Sequence, residues 1–150
     1  MRVAVAFDHR GVKLRERMLA ELAELGHEVV DLGTDTGAVR VDYPDKAREI
    51  GEAVRSGEAE RGVLVCGSGV GVAIVANKVD GVRAVNAHDA EEAEISRRHN
   101  DANVLALGGR RLDHANAGII VERFLETEFE GGRHERRVQQ ISAVERGEQP

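Results

Sequence analysis

Short apolar runs alternate along this chain with segments whose apolar residues recur every three or four positions. The runs at 2–7, 28–32, 63–65, 82–86 and 104–107 are too short for helices and predict five strands. Between the first two runs, Leu14, Met18, Leu22 and Leu25 follow helical spacing. Strands that alternate with helices predict the α/β class, here a doubly wound, Rossmann-like, five-stranded parallel sheet with helices on both faces.

Glycine and proline mark the predicted helix ends. Gly26 ends the first helix, and Pro44 opens a second that continues to Ser56 and Gly57. Further helices are predicted after the glycines at 67–71, at 91–99 and at 115–125. In the tail, Val138, Ile141 and Val144 have helical spacing, which predicts an amphipathic C-terminal helix that packs on the body or at a subunit interface.

Composition narrows the class of protein. A chain of 150 residues with 41% apolar content suits a single domain over 1–150. One cysteine excludes an internal disulfide, and no secretory signal or membrane-length apolar run is present, so we expect a cytoplasmic protein without a membrane partner. The formal charge of -6 argues against general nucleic-acid binding.

The strongest chemical signal is the segment from Cys66 to Gly71, Cys-Gly-Ser-Gly-Val-Gly. Cys66 ends a buried strand, and the glycines let the backbone approach a ligand closely. N–H groups at the start of the following helix favour negative charge, and the same field favours a thiolate. A lone cysteine at a strand end is, however, more often a small buried apolar residue.

Other polar groups follow strands one and five. Asp8 and His9 come after the first strand and Arg110 after the fifth, so they are expected at the same crevice as Cys66. His99 and Asn100 end a helix and are expected at the opposite edge, where they can serve a neighbouring subunit. Capping roles remain open for His99 and for Asp8.

The tail concentrates positive charge after Gly131 and Gly132. Arg133 and Arg137 are four residues apart, so in a helix they share a face and can clamp one phosphate. A solvated helix end is the alternative. His27, His88 and His114 have no metal-ligand spacing, and no metal or other cofactor is predicted.

A nucleotide-binding or regulatory module is the alternative from a different class. Gly67 and Gly69 begin a dinucleotide fingerprint, and Asp89 stands where a ribose-binding acid could lie. Val72 occupies the position of the third glycine, which weakens this interpretation.

Several motifs together resemble ribose-5-phosphate isomerase type B over nearly the whole chain. In chain order they are Asp8-His9, Asp42-Tyr43-Pro44, Cys66-Gly67-Ser68-Gly69-Val70-Gly71, Ala76-Asn77-Lys78, 97–103 and Gly131-Gly132-Arg133-His134. The resemblance implies a cofactor-free and metal-free sugar-phosphate isomerase, active as a homodimer or homotetramer with sites between subunits. It also implies a place in the pentose phosphate pathway.

The same resemblance assigns roles. It makes Cys66 the base that moves a proton through an enediolate, and His99 the group that opens the sugar ring. It implies that the backbone of Gly67, Ser68, Gly69, Val70 and Gly71 forms the anion hole for the enediolate. It implies that the sugar is contacted by Asp8, Tyr43 and Asn100, and the phosphate by His9, Arg110, Arg133 and Arg137.

Two positions refine this expectation. Val72 stands where one branch of the family has a glutamate base, which places the chain with the branch that uses cysteine. Arg10 is larger than the residue usual there, and it either adds a phosphate contact or tunes substrate length. Related enzymes act on allose 6-phosphate, galactose 6-phosphate or tetrulose phosphates, and a sensor without turnover is a further alternative.

Overall fold

The computed structural model describes residues 1–149 and contains one five-stranded sheet. Its strands are β1 (Arg2–Phe7), β2 (Glu28–Asp31), β3 (Arg61–Cys66), β4 (Ala84–Asn86) and β5 (Val104–Gly108). Every neighbouring pair is parallel, and the order across the sheet is β2-β1-β3-β5-β4. The predicted fold class is confirmed.

Six α-helices connect and flank the strands. They are α1 (Arg15–Glu24), α2 (Tyr43–Ser56), α3 (Val70–Ala76), α4 (Ala90–Asn100), α5 (His114–Glu126) and α6 (Glu135–Glu145). Single 3₁₀ turns at Val12–Leu14 and Gly132–His134 precede α1 and α6. Gly57, with φ of 78°, ends α2 in the left-handed conformation that favours glycine.

The fourth strand is shorter than the sequence pattern predicts. Val82 belongs to a turn, because its N–H donates to the Val79 carbonyl, and the Arg83 N–H donates to the side chain of Asn103. These contacts take the backbone out of the ladder, so β4 begins only at Ala84.

The sheet separates two apolar layers, because successive side chains of a strand point to opposite faces. Val3, Val5 and Phe7 of β1 face the layer formed with α1, α4 and α5. Ala4 and Ala6 face the other layer, formed with α2 and α3, and Cys66 of β3 lies in this second layer.

The order of the strands creates a crevice at the carboxyl ends of β1 and β3. From β1 the chain first moves outward to β2, and it then returns to place β3 on the other side of β1. Connections that leave in opposite directions open a crevice beyond the carboxyl ends of two neighbouring strands. Here those ends are Phe7 and Cys66. On the far side of β3, β5 inserts between β3 and β4.

Helix α6 forms the outermost element and has no buried residue. Its Ile141 and Val144 remain 45% and 61% exposed. The role of this helix at a subunit interface stays a prediction. Among the described residues, no helix has the length and apolar content needed to cross a membrane.

Candidate active site

The glycine-rich segment after β3 forms a tight turn around the cysteine. Cys66 is 4% exposed, and the backbone N–H of Gly69 donates to its Sγ at 3.1 Å. Gly69 has φ of 81°, and a Cβ on it would lie 2.1 Å from Oδ1 of Asn86. The turn therefore requires glycine at this position.

The two strands that flank β3, β5 and β1, both support this turn. The N–H of Gly109 donates to the Cys66 carbonyl at 2.7 Å, and that of Arg110 donates to the Gly67 carbonyl at 3.0 Å. On the other side, the N–H of Asp8 donates to the Val65 carbonyl at 3.0 Å. The backbone around Cys66 is thus fixed from both directions.

Asp8 is a buried carboxylate at the end of β1. One of its oxygens, Oδ1, accepts from the N–H groups of Arg10 and Gly11 at 2.8 and 2.7 Å. It closes the turn that precedes the 3₁₀ segment Val12–Leu14, and its second oxygen is left for other partners. The capping alternative for Asp8 is wrong, because the N-cap position of α1 is Leu14, which makes no side-chain hydrogen bond there. Asp8 also contributes to the cavity beside Cys66.

A cavity of about 400 Å³ lies over these strand ends. It is lined by Asp8, Arg10, Tyr43, Cys66, Gly67, Ser68, Val70, Gly71, Ile74 and Arg110. The Gly71 backbone packs against Tyr43, because a Cβ there would lie 2.7 Å from the ring. Both Arg10 and Arg110 approach Gly67, so two cationic side chains and one carboxylate share the cavity.

His99 lies in a separate cluster at the end of α4. Its imidazole stacks on that of His134, with ring centroids 4.2 Å apart and planes 8° from parallel. Oε2 of Glu130 is 3.9 Å from Nε2 of His99 and 3.4 Å from Nε2 of His134. The 11 residues of α4 run from the carboxyl ends of the strands to their amino ends, about 16 Å away.

These three side chains are close enough to be considered as metal ligands, since their ligand atoms lie within 4.8 Å of one another. The arrangement fits a metal poorly. An imidazole binds a metal through an in-plane lone pair, and two parallel stacked rings cannot aim at one point. Arg98 already donates to Glu130, and Nε of Arg133 donates to Nε2 of His134 at 3.2 Å.

The comparison with known proteins assigns the chain to a family. The profile described as Ribose/Galactose Isomerase matches residues 3–141. The chain belongs to the ribose/galactose isomerase family.

Individual members of the family match almost end to end. Ribose-5-phosphate isomerase B of Escherichia coli is 44% identical over 144 residues, covering 96% of each chain. D-erythrulose-4-phosphate isomerase of Pectobacterium atrosepticum is 36% identical over 146 residues, covering 97% of this chain and 96% of the relative. The structure of Clostridium thermocellum ribose-5-phosphate isomerase B has a TM-score of 0.95 at 44% identity, covering 98% of this chain and 99% of that one. This chain is therefore a sugar-phosphate isomerase.

The structure brings most of the predicted site residues of this isomerase into two groups. The cavity over the strand ends contains Asp8, Tyr43, Cys66, Gly67, Ser68, Val70, Gly71 and Arg110, and Gly69 supports it from behind. Arg133, in the 3₁₀ turn before α6, and Arg137, in α6, line a second cavity of about 460 Å³ with Arg136 and Gln140. The roles of these residues stay predictions.

Besides His99 in its own cluster and Gly69 behind the turn, two predicted residues line neither cavity. His9 does not line the cavity beside Cys66, and its Nδ1 accepts from the N–H of Val41 at 3.3 Å. Asn100 lines a larger groove of about 660 Å³ that runs beside α6. Asp89, the candidate ribose-binding acid of the nucleotide alternative, instead caps α4 by accepting from the Glu92 N–H at 2.8 Å.

Sequence reasoning did not assign a function to His134 or Glu130. His134 was visible only as the last residue of the Gly131–His134 motif, and nothing in the spacing connects it with His99. The role of Arg10 was left open, and the structure places this residue in the cavity with Cys66.

Proposed function

We propose that this isomerase interconverts ribose 5-phosphate and ribulose 5-phosphate, with Cys66 as the base. The observation that carries the proposal is the hydrogen bond from the Gly69 N–H to Sγ of Cys66, inside a cavity with a carboxylate and two arginines. A backbone donor at this distance stabilises the negative charge of a thiolate. The names of the Escherichia coli and Clostridium thermocellum relatives support the choice of sugar.

The chemistry requires one carbon-bound proton to move between neighbouring carbons. Sγ of Cys66 removes the proton from C2 of the open aldose and returns it to C1, while the proton of the C2 hydroxyl passes to the C1 oxygen. Negative charge develops on the oxygens of the enediolate between these steps. Backbone N–H groups held in place by the Gly67–Gly71 turn supply donors for that charge, and one such donor typically contributes about 2.7–4 kcal/mol.

Asp8 is suited to orient the sugar hydroxyls at this point. Its Oδ1 is occupied by two backbone donors, so the carboxylate keeps one orientation at the cavity wall. Tyr43 closes the opposite side by packing on Gly71. Arg110 and Arg10 add positive charge at the end of the cavity near Gly67, where an anionic substrate is favoured.

Ring opening is assigned to His99 because a histidine can donate and accept protons near neutral pH. In one protomer, however, Cys66 lies at the carboxyl end of β3, whereas His99 lies near the end of α4, toward the amino ends of the strands. Since Arg133 contacts His134, which stacks on His99, the phosphate-binding arginines belong to the same group as His99. A complete site therefore combines the Cys66 cavity of one protomer with the His99 and Arg133 group of a second.

The experiment that tests this function is turnover of ribose 5-phosphate by the purified protein in the presence of a chelator. Allose 6-phosphate and erythrulose 4-phosphate are assayed beside it. We expect a higher kcat/KM for ribose 5-phosphate, with no effect of the chelator. Activity only on another of these sugars would retain the proton-transfer chemistry and replace the substrate, whereas binding without turnover of any of them would indicate a sensor.

A further inference from the structure

The imidazole of His134 covers one face of the imidazole of His99. The two rings are nearly parallel at a centroid separation of 4.2 Å. His134 is 6% exposed, whereas the side chain of His99 is 34% exposed. One ring of the stack is thus packed into the protein, and the other presents its free side to the outside.

The segment that carries His134 is fastened to the end of α4 just beside His99. The N–H of Glu130 donates to the Arg98 carbonyl at 3.0 Å, and Nε of Arg98 donates to the Glu130 carboxylate at 2.7 Å. Gly131 and Gly132 then take φ of 63° and 54°. This left-handed pair turns the chain back so that His134 meets His99.

The charges around the stack favour an uncharged His134. Burial lowers the pKa of His134, and the neighbouring His99 and Arg133 lower it further, while Glu130 acts in the opposite direction. Arg98 lowers the pKa of Glu130 through its hydrogen bond. A neutral His134 ring offers His99 a flat apolar face and adds no positive charge beside it.

Fixing the plane of the His99 ring has a specific use in ring opening. The torsion that rotates an imidazole about its Cβ–Cγ bond has broad minima, so the side chain alone does not set the ring plane. Proton exchange with the ring oxygen and anomeric hydroxyl of a sugar uses in-plane lone pairs and N–H bonds. A stacked neighbour restricts that rotation and leaves the in-plane nitrogens accessible.

We propose that His134 is a positioning residue, which holds the His99 imidazole in the plane required for opening the sugar ring. The inference rests on the proposed function, because it assumes that His99 performs this step. It goes further by assigning His134 to one stage of the reaction. His134 acts on ring opening and not on the proton transfer at Cys66.

The experiment separates these two stages. His134→Ala removes the stack, and His134→Phe retains a flat ring that cannot exchange protons. Turnover of ribose 5-phosphate requires ring opening. Exchange of the C1 proton of ribulose 5-phosphate with deuterium oxide requires only enediolate formation, because its C5 oxygen carries the phosphate and cannot close a five-membered ring. His114→Ala removes an exposed histidine and serves as the matched control.

We expect His134→Ala to lower kcat/KM for ribose 5-phosphate by roughly 10- to 100-fold, as small losses of alignment do in other enzymes, while C1 exchange stays near the wild-type rate. His134→Phe should retain most of both activities, and His114→Ala all of both.

Unchanged turnover in His134→Ala would overturn the proposal. So would an equal loss of turnover and exchange, or a His134→Phe variant that folds but is as impaired as His134→Ala. Absence of both activities in the wild-type protein would instead reject the proposed function. A thermal unfolding curve for each variant identifies losses that are due to misfolding.

Discussion

The separation of Cys66 and His99 within one protomer leads to a complementation prediction. Cys66→Ala and His99→Asn each remove one group from every site, so each homo-oligomer should be inactive. When the two variants form a hybrid dimer, one of its sites receives His99 from the first variant and Cys66 from the second. The other site lacks both groups.

The expected recovery of activity follows from the number of intact sites in the mixture. Random exchange between equal amounts of the two variants makes half of the dimers hybrid, and each hybrid has one intact site of two, so activity should recover to about a quarter of wild type. The double variant with both substitutions is the matched control. In its hybrids with wild type neither site is complete, so mixing should reduce the activity of the wild-type portion to about half.

The assay mixes differently tagged variants under exchange conditions, purifies the hybrid through both tags and measures ribose 5-phosphate turnover. A shared site is contradicted if purified hybrids of the single variants stay inactive while hybrids of wild type with the double variant stay active. That pair of results would show that Cys66 and His99 act within one protomer.

Two further predictions concern the turn at Gly69 and the histidines whose pKa is lowered, His27 and His134. Gly69→Ala should unfold at a lower urea concentration than Gly57→Ala and should lose most isomerase activity. Both substitutions add left-handed strain of about 1–2 kcal/mol. Only the new Cβ at Gly69 meets Asn86, whereas the new Cβ at Gly57 meets nothing. Equal unfolding midpoints and normal activity in both variants would contradict this. The free energy of unfolding should decrease as pH falls below about 6.5, because burial lowers the pKa of His27 and His134 and the unfolded chain therefore takes up protons first. Urea unfolding midpoints at about pH 7.5 and pH 5.5 measure this loss of stability. The double variant His27→Gln with His134→Phe should show a smaller difference between the two midpoints. Wild-type midpoints that do not depend on pH would show the explanation to be wrong.

The sequence predicted the strands and the Cys66 turn well because both depend on local patterns. Strands β1, β3 and β5 are buried on both faces, so they appear as continuous apolar runs. Gly69 is visible for a similar reason, since the left-handed conformation of the turn needs glycine at this position.

What the sequence could not predict depends on contacts between distant segments. Hydrophobic periodicity contains no information on whether β4 or β5 lies next to β3, and the observed order comes from pairing across the whole sheet. The stack of His99 on His134 is of the same kind, because it results from how the Glu130–Gly132 turn docks on α4. The place of Arg10 in the cavity beside Cys66 likewise follows only from the folded structure.

The position of β5 has a consequence for how the protein acquires its site during synthesis. Until residues 104–108 have been made, the outer edge of β3 has no neighbour, and neither Gly109 nor Arg110 can hold the backbone of the Cys66 turn. A nascent chain that stops before β5 therefore exposes an apolar strand edge, which is a template for aggregation. Because β5 is paired on both sides, its insertion completes the sheet and the cysteine turn in one step.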